Sequence, residues 1–434
     1  MHWFPASVFL AVLTVQAGGV YWTDRGTGQI RRMHFDGGGL VTVDLSGAVT
    51  SPGSNLRGLA VDAANNQMFW ADNGSDTLRR ARLDGGESVL LVGAPGGSSF
   101  PADVRPDFVH QRLYWCDRDR RTLQRVEFDG TDRRDVVVDA APSGPYFLDV
   151  DSEGGKLYWG DFEGGAIYRS DLDGGAREVL ITGNNQTRGV CVDAAGGWLY
   201  WANRDDRRIH RCPLGAFAAG TIPITSPAVE TLYSGLDTPH GLVIDVPAGM
   251  LYWADTGSNV GSGLGEHSIC RGDLNGARRP EVLAAGSEPW DVDLDRRCTR
   301  YAEWRARFFR RDATAEQTDP EADPDGDGRA NRLEYALGSV PLRSETEAAL
   351  VPGLWEEPGG ARHAEFHFRR NAAADDLEFS LEEASSPDGW ADLRHPSLTT
   401  TVSPLADGLE DVTVRLSEPL GSTPRFYRLS VRAR

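Results

Sequence analysis

The sequence lacks clustered positive charge, and its interior contains no apolar run long enough to cross a membrane. Its 434 residues carry 45 Lys and Arg against 64 Asp and Glu, which gives a formal net charge of −19. Binding to a phosphate backbone needs a basic patch, so nucleic acids and anionic membranes are excluded as expected partners. A spanning helix needs about 20 apolar residues, so we expect a chain that does not span a membrane.

Cysteine is also scarce, and its spacing excludes the usual small metal knuckles. The five cysteines lie far apart, and their odd number leaves at least one unpaired within a monomer, so a complete disulfide framework is not expected. The repeats described below carry other residues, including Thr or Ala, at the positions of Cys116 and Cys191. We therefore expect both thiols to be small buried apolar side chains.

The first 17 residues form a candidate secretory signal. An apolar stretch runs from Val8 to Val15, and Val15 and Ala17 occupy the small-residue positions that signal peptidase requires before Gly18. The alternative is that this stretch is a hydrophobic first strand. We expect residues 1–17 to be removed, and the mature protein to be secreted, periplasmic or attached to the cell surface.

One aromatic tetrapeptide recurs six times in the first two thirds of the chain. Its period of about 40 to 50 residues matches one four-stranded blade of a β-propeller. A single blade cannot bury both faces of its sheet, whereas a closed ring packs every blade between two neighbours. The six copies are Tyr21–Asp24, Phe69–Asp72, Tyr114–Asp117, Tyr158–Asp161, Tyr200–Asn203 and Tyr252–Asp255.

Each unit repeats further features around the tetrapeptide. An Asp lies seven residues before every copy after the first, at Asp62, Asp107, Asp151, Asp193 and Asp245. An Arg follows every copy, at Arg32, Arg80, Arg125, Arg169, Arg211 and Arg271, and most are followed by an Asp-Gly or Asn-Gly hairpin turn. We interpret both sets as scaffold; the alternative is a charged channel.

The two ends of the repeat array predict how the ring closes. Tyr21 has no innermost strand before it, whereas the segment from Pro289 to Asp295 is an innermost strand with no tetrapeptide after it. The two halves complete one blade if this segment pairs beside Tyr21–Asp24. The sequence therefore predicts a mainly β chain whose residues 18–298 form a six-bladed β-propeller.

These repeats resemble the YWTD, or class B, repeats of the low-density-lipoprotein receptor family, over about Gly19 to Asp295. The resemblance implies a six-bladed propeller whose tetrapeptides are structural and whose one end binds protein ligands. This chain departs from the family pattern, because only the first copy is YWTD in full and no cysteine-rich epidermal-growth-factor module follows. The resemblance therefore supports the same propeller scaffold in this chain, but it does not imply a receptor function.

One variable position of the repeat predicts a ligand-binding ring. Ligands of propellers usually approach one end of the channel, where loops meet the innermost strands. Arg, Tyr and Trp dominate interface hot spots, and a position that varies among such residues is expected to be exposed to a ligand rather than packed in a core. We expect a protein, peptide or glycan ligand here. Aligned on the repeated Asp, this position is occupied by Arg57, Ala102, Tyr146, Arg188, His240 and Trp290.

The competing class is an enzyme, because six-bladed propellers also host lactonases and lyases that hold a divalent metal in the channel. The candidate ligands are Asp103, Asp149, Asp291 and His240. No nucleophile elbow, HExxH motif or paired-carboxylate signature stands out. We expect a binding protein rather than an enzyme, with a lactonase-like, metal-dependent hydrolase or lyase as the alternative.

After the repeats, the sequence predicts a helix and a calcium loop over residues 299–345. Tyr301, Trp304 and Phe308 share one helical face. The acids that follow match the EF-hand register, in which a hard cation is held by six to eight oxygens. The module resembles a half-dockerin or another bacterial calcium-loop repeat. We expect a structural Ca²⁺ ion here, and the alternative is a solvated acidic turn. The expected ligands are Asp323, Asp325, Asp327, the backbone carbonyl of Arg329, Asn331 and Glu334.

Residues 346–434 are predicted to form a small β-sandwich. The alternating segments that predict strands are His363 to Arg369, Leu377 to Glu382, Val412 to Leu416 and Phe426 to Val431. Such an ending suggests an accessory or surface-attachment domain. The sequence thus predicts extracellular recognition by the propeller, with calcium stiffening the join to the tail; a purely structural spacer in a cell envelope is a third possibility.

Overall fold

The computed structural model describes residues 18–45, 54–93, 99–142, 144–257, 267–286, 288–298, 301–310, 312–345, 349–357, 359–374, 376–384, 390–392, 398–405, 409–419 and 425–434. The candidate signal, residues 1–17, lies outside these ranges. Strands dominate the described residues, as short apolar segments separated by Gly-containing turns predict. No helix within these ranges is long and apolar enough to cross a membrane.

The repeat region consists of short strands and one 3-10 helix, Leu214–Ala219. The strands in the described part of residues 18–298 are β1 (Gly19–Asp24), β2 (Gln29–Met33), β3 (Val41–Thr42), β4 (Leu56–Asp62), β5 (Gln67–Asp72), β6 (Thr77–Arg82), β7 (Val89–Val92), β8 (Pro101–Asp107), β9 (Arg112–Asp117), β10 (Thr122–Glu127), β11 (Arg134–Val137), β12 (Pro145–Asp151), β13 (Lys156–Asp161), β14 (Ala166–Asp171), β15 (Glu178–Thr182), β16 (Thr187–Asp193), β17 (Trp198–Asn203), β18 (Arg208–Pro213), β19 (Ile222–Pro223), β20 (Glu230–Tyr233), β21 (Pro239–Asp245), β22 (Met250–Asp255), β23 (Ser268–Asp273), β24 (Glu281–Ala285) and β25 (Pro289–Asp295).

Within the described ranges up to residue 298, these strands form six sheets. Sheet 1 has the order β25-β1-β2-β3, sheet 2 is β4-β5-β6-β7, sheet 3 is β8-β9-β10-β11, sheet 4 is β12-β13-β14-β15-β19, sheet 5 is β16-β17-β18-β20 and sheet 6 is β21-β22-β23-β24. The innermost strands contact one another in the cyclic order β25, β4, β8, β12, β16 and β21, and β21 returns to β25. The sheets therefore surround a central channel, as in a β-propeller.

The predicted closing pair is confirmed. Strand β25 pairs with β1 in antiparallel register, with Trp22 opposite Val292 and Tyr21 opposite Asp293. The end of the repeat region thus completes the sheet that its beginning starts. Because these segments are separated by the whole ring, their pairing joins the first and last parts of the repeat array.

The tetrapeptide aromatics form the cores between the sheets. Every tetrapeptide Trp is buried, and Trp70, Trp115, Trp159, Trp201 and Trp253 are among the largest fully buried side chains. An aromatic side chain of this size buries 150–250 Å², which corresponds to roughly 4 to 6 kcal/mol of hydrophobic transfer free energy. All five cysteines are buried and free, so Cys116 and Cys191 do act as small core side chains.

The repeated Asp and Arg residues serve the scaffold. Asp62 and Asp151 accept the backbone N–H groups of the turns that follow them, at 3.1 and 2.8 Å. Arg80 and Arg211 each donate to a backbone carbonyl of the next sheet, at 3.2 and 3.0 Å. One set therefore caps turns and the other joins neighbouring sheets, which agrees with the structural interpretation of both.

The segment after the sheets packs against sheets 1 and 6. It contains α1 (Tyr301–Phe308), α2 (Ala315–Thr318) and α3 (Asn331–Leu337), which ends at Gly338 with a φ of +67°. Trp304 and Tyr335 share one apolar core with Trp22 and Met250. Arg307 of α1 forms a two-point ion pair with the buried Asp245 at 2.6 and 2.9 Å. The module is therefore joined to the ring by both apolar and ionic contacts.

The last strands form two further sheets. They are β26 (Val351–Glu356), β27 (Arg362–Asn371), β28 (Leu377–Ala384), β29 (Ala391–Asp392), β30 (Leu398–Pro404), β31 (Leu409–Pro419) and β32 (Phe426–Ala433). One sheet has the order β26-β27-β31-β30 and the other β29-β28-β32. Phe366 and Tyr427 bring the two sheets into contact, with ring centroids 4.8 Å apart. The four predicted tail strands all occur, although each is longer than its apolar segment.

Candidate functional site

A cavity of about 310 Å³ lies at the end of the channel where the innermost strands begin. Five of the six ring positions predicted from the sequence line it, and each is the second residue of its strand. Because the six strands start at the same end of the ring, residues far apart in the chain converge there. These five residues are Arg57, Tyr146, Arg188, His240 and Trp290.

Two other positions of the repeat line the same cavity and were missed by the sequence prediction. The start of each innermost strand pairs with the end of a tetrapeptide strand, as Leu56 does with Asp72. The residue after the tetrapeptide therefore reaches the cavity, as does the residue two before the ring position. Aligning the repeats on the repeated Asp could have identified both positions. The cavity residues that directly follow a tetrapeptide are Arg25, Arg118, Phe162, Arg204 and Thr256, and those two residues before a ring position are Phe100, Thr238 and Glu288.

Arginine and aromatic side chains alternate around the cavity wall. The guanidinium carbon of Arg57 lies 3.8 Å from the ring centroid of Trp290 and 5.1 Å from that of Phe100. That of Arg188 lies 4.7 Å from the ring of Tyr146. Such contacts hold the flat faces of the guanidinium groups. In order, the contacting side chains are Trp290, Arg57, Phe100, Arg118, Phe162, Arg188 and Tyr146.

Two of these arginines carry a buried charge without a carboxylate partner. Among the described residues, no carboxylate oxygen lies within 4 Å of the side-chain nitrogens of Arg57 or Arg188. Nε and Nη1 of Arg57 and Nε of Arg188 are buried without a hydrogen-bond partner. Burial lowers the pKa of each side chain to about 10. The carboxylate on the described cavity wall belongs to Glu288, which pairs with Arg25 at 2.7 Å.

His240 adds a neutral ring to this wall. Its Nδ1 lies 3.0 Å from the carbonyl oxygen of Thr238, which requires a proton on Nδ1. Its ring centroid lies 4.2 Å from that of Trp290. Burial and the nearby Arg188 lower the pKa of His240 well below its usual value. The histidine is therefore uncharged at neutral pH, so it adds no positive charge beside the arginines.

The ring differs from the sequence prediction in two respects. Ala102 packs in the core between sheets 3 and 4 with Tyr114 and Phe147, and is not part of the cavity wall. The other ring residues were expected to be exposed, yet Arg57 is 6% and Arg188 1% exposed. They are buried because each lies against aromatic rings of neighbouring sheets. The cavity wall therefore includes arginine side chains that are largely removed from water.

Comparison with known proteins identifies the fold. No family model matches the sequence, and no curated protein matches it. Among solved structures, the chain is similar to a crystal structure of a nidogen/laminin complex, with a TM-score of 0.52 and 20% identity, over 64% of this chain and 98% of that chain. This likeness agrees with the cyclic arrangement of sheets. The fold is a β-propeller.

The acids considered as channel metal ligands hold the innermost strands of the propeller together. Asp103 and Asp291 pair with the buried Arg105 at 3.0 and 2.9 Å. Asp149 accepts a backbone N–H of the neighbouring innermost strand at 2.7 Å. Among the described residues, these acids and His240 do not form a group of three with ligand atoms within 4.8 Å of one another. Each of the three acids therefore has partners within the chain: Asp103 and Asp291 share an arginine, and Asp149 accepts backbone N–H groups.

The acidic loop beyond the propeller has the turn that its spacing predicts. Carboxylate oxygens of Asp323, Asp325 and Asp327 lie within 4.8 Å of one another. Gly328, at position 6 of the register, has a φ of +89°, which favours glycine over other residues. The three acids at positions 1, 3 and 5 therefore converge, as a calcium loop requires.

Buried oxygen atoms without hydrogen-bond partners accompany this acidic group. Both carboxylate oxygens of Glu334, at position 12, are buried and unpartnered, as are Oδ1 of Asn331 and Oδ2 of Asp325. Burial, with repulsion from Asp325 and Asp327, raises the pKa of Glu334 to about 8. A buried carboxylate without a partner is unfavourable unless a cation or a proton balances it. The residues therefore fit a hard divalent cation.

The position-7 residue, Arg329, keeps its side chain away from the acids. Its guanidinium pairs with Glu345 at 2.6 Å, and the N–H of Glu345 donates to Oδ2 of Asp327 at 2.9 Å. This leaves the carbonyl of Arg329 as its predicted calcium ligand. The helix before the loop, α2, has only four residues. The module accordingly differs from a full EF-hand, in which a long helix enters the loop.

Proposed function

We propose that this chain is an exported, six-bladed propeller of the YWTD type that binds a protein, peptide or glycan ligand at its channel mouth. The observation that carries the proposal is the convergence of Arg57, Tyr146, Arg188, His240 and Trp290 on one cavity. Sheets 1, 2, 4, 5 and 6 each supply one of these side chains. A repeated fold that needed only packing would keep similar residues at equivalent positions.

A protein ligand is favoured by the kind of residues on the wall. Trp, Tyr and Arg are enriched among the residues that dominate binding energy at protein interfaces, especially in well-packed desolvated pockets. The cavity contains all three types, and its aromatic and cationic groups are held in fixed positions by mutual stacking. The similar solved structure is a complex of nidogen with laminin, which is compatible with a protein ligand here.

The test is a selection of displayed random peptides against the intact protein. We expect selected peptides to lose about tenfold or more of their affinity when Arg188 and Trp290 are both replaced by Ala, as for hot-spot residues. Arg208→Ala is the matched control, because Arg208 is exposed in β18 of the sheet that contains Arg188. Circular dichroism confirms that each variant is folded. Peptides that bind the double variant as well as the native protein would place the site elsewhere.

We further propose that the C-terminal loop binds structural Ca²⁺ through Asp323, Asp325, Asp327, the carbonyl of Arg329, Asn331 and Glu334. The unpartnered, buried carboxylate of Glu334 supports this proposal. Calorimetry with Ca²⁺ should detect one site, and Asp325→Ala should abolish it. Glu316→Gln, an exposed acid outside the loop, is the control. An absence of binding heat together with an unchanged melting temperature in Asp325→Ala would contradict the site.

The proposed organisation is a signal over residues 1–17, a propeller over 18–298, a calcium module over 299–345 and a β domain over 346–434. The contacts of Trp304 and Arg307 with the propeller support a calcium module that is docked on it. Amino-terminal sequencing of exported protein tests the first boundary. A mature chain that begins at Gly18 is expected, and a retained Met1 would contradict export by this route.

A further inference from the structure

The charge and shape of the cavity specify what its ligand carries. We propose that the cavity binds the side-chain carboxylate of an aspartate or glutamate presented by a protein partner. This inference rests on the proposed function, since it names the ligand chemistry of the same site. The cavity would thus bind a negatively charged group, although the net charge of the whole chain is −19.

The first argument comes from a comparison of all the arginines that are buried in the described residues. There are eight, and six of them pair with at least one carboxylate: Arg105, Arg125, Arg271, Arg307, Arg310 and Arg329. The two without such a partner, Arg57 and Arg188, both line the cavity. A buried cation is unfavourable unless an anion pairs with it. An anion bound in the cavity would therefore supply the partner that these two arginines lack.

The second argument concerns the hydrogen-bonding capacity that remains. The side chain of Arg57 donates no hydrogen bond to any described residue, and Arg188 donates to carbonyl and amide oxygens but to no carboxylate. Aromatic contacts fix the faces of both guanidinium groups. A guanidinium fork in a fixed plane matches the geometry of a carboxylate, which can accept two N–H bonds at once.

The third argument favours an acidic side chain over a sugar. A sugar ring stacks on an open aromatic face, but two side chains of the chain already pack against the ring of Trp290. Arg57 lies 3.8 Å from its ring centroid and the ring of His240 lies 4.2 Å from it. The cavity volume of about 310 Å³ is at the low end for ligand sites. It suits one anchoring side chain, and the net charge of −19 on the whole chain disfavours a long polyanion.

The experiment uses small probes that isolate this chemistry. N-acetylaspartate N-methylamide and its glutamate analogue are titrated into the full chain and followed by calorimetry and thermal unfolding. The asparagine analogue, of nearly the same shape but neutral, is the control ligand. We expect the acidic probes to bind and to raise the melting temperature, and the asparagine analogue to bind about tenfold or more weakly, as the loss of charge-assisted hydrogen bonds implies.

Variants assign the effect to the cavity. Arg57→Met removes a charge that donates no hydrogen bond to the described chain, so it should fold normally and weaken the acidic probes by about tenfold or more. The double variant R57M/R188M should show no binding. Arg208→Met, an exposed arginine in sheet 5, should behave as the native protein. Equal binding of the aspartate and asparagine analogues, or binding that survives in the double variant, overturns the proposal.

Further probes distinguish the sources of negative charge. Glucuronate that binds more tightly than the amino-acid probes would overturn the acidic side chain in favour of a glycan. Sulfate that binds as tightly as the aspartate probe would reduce the site to a general anion site. Peptides selected by display distinguish this inference from the proposed function. Selected peptides whose binding depends on Trp290 but which contain no Asp or Glu would refute carboxylate recognition while supporting the binding site. Selected peptides whose affinity does not change when the ring residues are replaced would refute both proposals.

Discussion

The propeller cavity and the C-terminal acidic loop carry buried charges of opposite sign. In the cavity, Arg57 and Arg188 are buried without a carboxylate partner among the described residues. In the loop, the carboxylate of Glu334 is buried without a hydrogen-bond donor. In the channel, Arg105 pairs with both Asp103 and Asp291. Arg105 is therefore paired with acids of the chain, whereas the buried charges of the cavity and of the loop lack a partner of opposite sign among the described residues.

This difference shows how a ligand site can be separated from scaffold in a repeat protein. Moving a charge out of water is unfavourable by several kcal/mol, so a fold that needs a buried charge for its own stability supplies the opposite charge as well. Asp245, paired with Arg307, follows that rule. A charge that the chain buries alone lowers stability, and a partner from outside offsets the loss. The cavity accordingly matches an anion, and the loop matches a cation.

The largest expected loss of stability follows from replacing an arginine that is paired with acids, and it is compared with the replacement of an unpaired arginine. Arg105→Met leaves Asp103 and Asp291 buried without their cation, so we expect the free energy of unfolding to fall by about 3 to 5 kcal/mol. Chemical denaturation followed by tryptophan fluorescence measures this change, with Arg208→Met as the surface control. The distinction between balanced and unbalanced regions would break if Arg105→Met were no more destabilising than Arg57→Met.

The second prediction concerns removal of the loop's proposed ion. At a Ca²⁺ concentration 100 times the dissociation constant, binding contributes about 2.7 kcal/mol to the folded state, and chelation should remove it. Tyr335 follows Glu334 and lies in the core shared with the propeller. The lost stability should therefore appear in the main unfolding transition. A chelated protein whose propeller melts unchanged, after a separate tail transition, would contradict the coupling of the two regions.

The third prediction uses the histidine of the cavity. The pKa of His240 is lower in the folded chain than its usual value near 6.5, so the unfolded chain binds this proton more tightly. Stability should be fully present above about pH 6.5 and should fall by about 1.4 kcal/mol per pH unit below it, until the folded pKa is reached. The difference in unfolding free energy between the native protein and His240→Asn measures this slope. A difference that stays constant from pH 7 to pH 5 would show that the cavity tolerates another positive charge.

The smallest expected change in stability is that of replacing the unpaired Arg57, and it tests most directly whether this charge serves the fold. Arg57→Met replaces an unpaired buried charge by an apolar side chain of similar length. We expect the free energy of unfolding to stay unchanged or to rise by up to about 1 kcal/mol, because no hydrogen bond to the described chain is lost. Differential scanning calorimetry without ligand provides the measurement. A clear loss of stability would mean that Arg57 is part of the scaffold.

Much of the fold could be predicted because the repeat reports local structure. The tetrapeptide marks the second strand of each sheet, and the repeated Asp marks the end of each innermost strand, as in Leu56–Asp62. The pairing of β25 with β1 followed from an innermost strand without a partner. The calcium-loop turn followed from fixed spacing in one short segment. Each of these features depends on residues that are close in sequence or at equivalent places in a repeat.

The cavity could be predicted only in part. One variable position was recognised, but the residues after the tetrapeptide, such as Arg118 and Phe162, were not, and Ala102 was wrongly included. The burial of Arg188 also differs from its predicted exposure. It results from rings that neighbouring sheets supply, and no single repeat contains that information.

The sequence by itself determined the repeated strands of the propeller, the closing pair and the spacing of the acidic loop, because the repeats mark equivalent strands and turn chemistry acts over a few residues. Only the tertiary structure decided which charges are balanced. Arg105 meets Asp291 across 186 positions of sequence, whereas Arg57 contacts aromatic rings and pairs with no acid in the described part of the chain. The free energy of a buried charge depends on what surrounds it in space, and the ring brings those surroundings together from separate sheets.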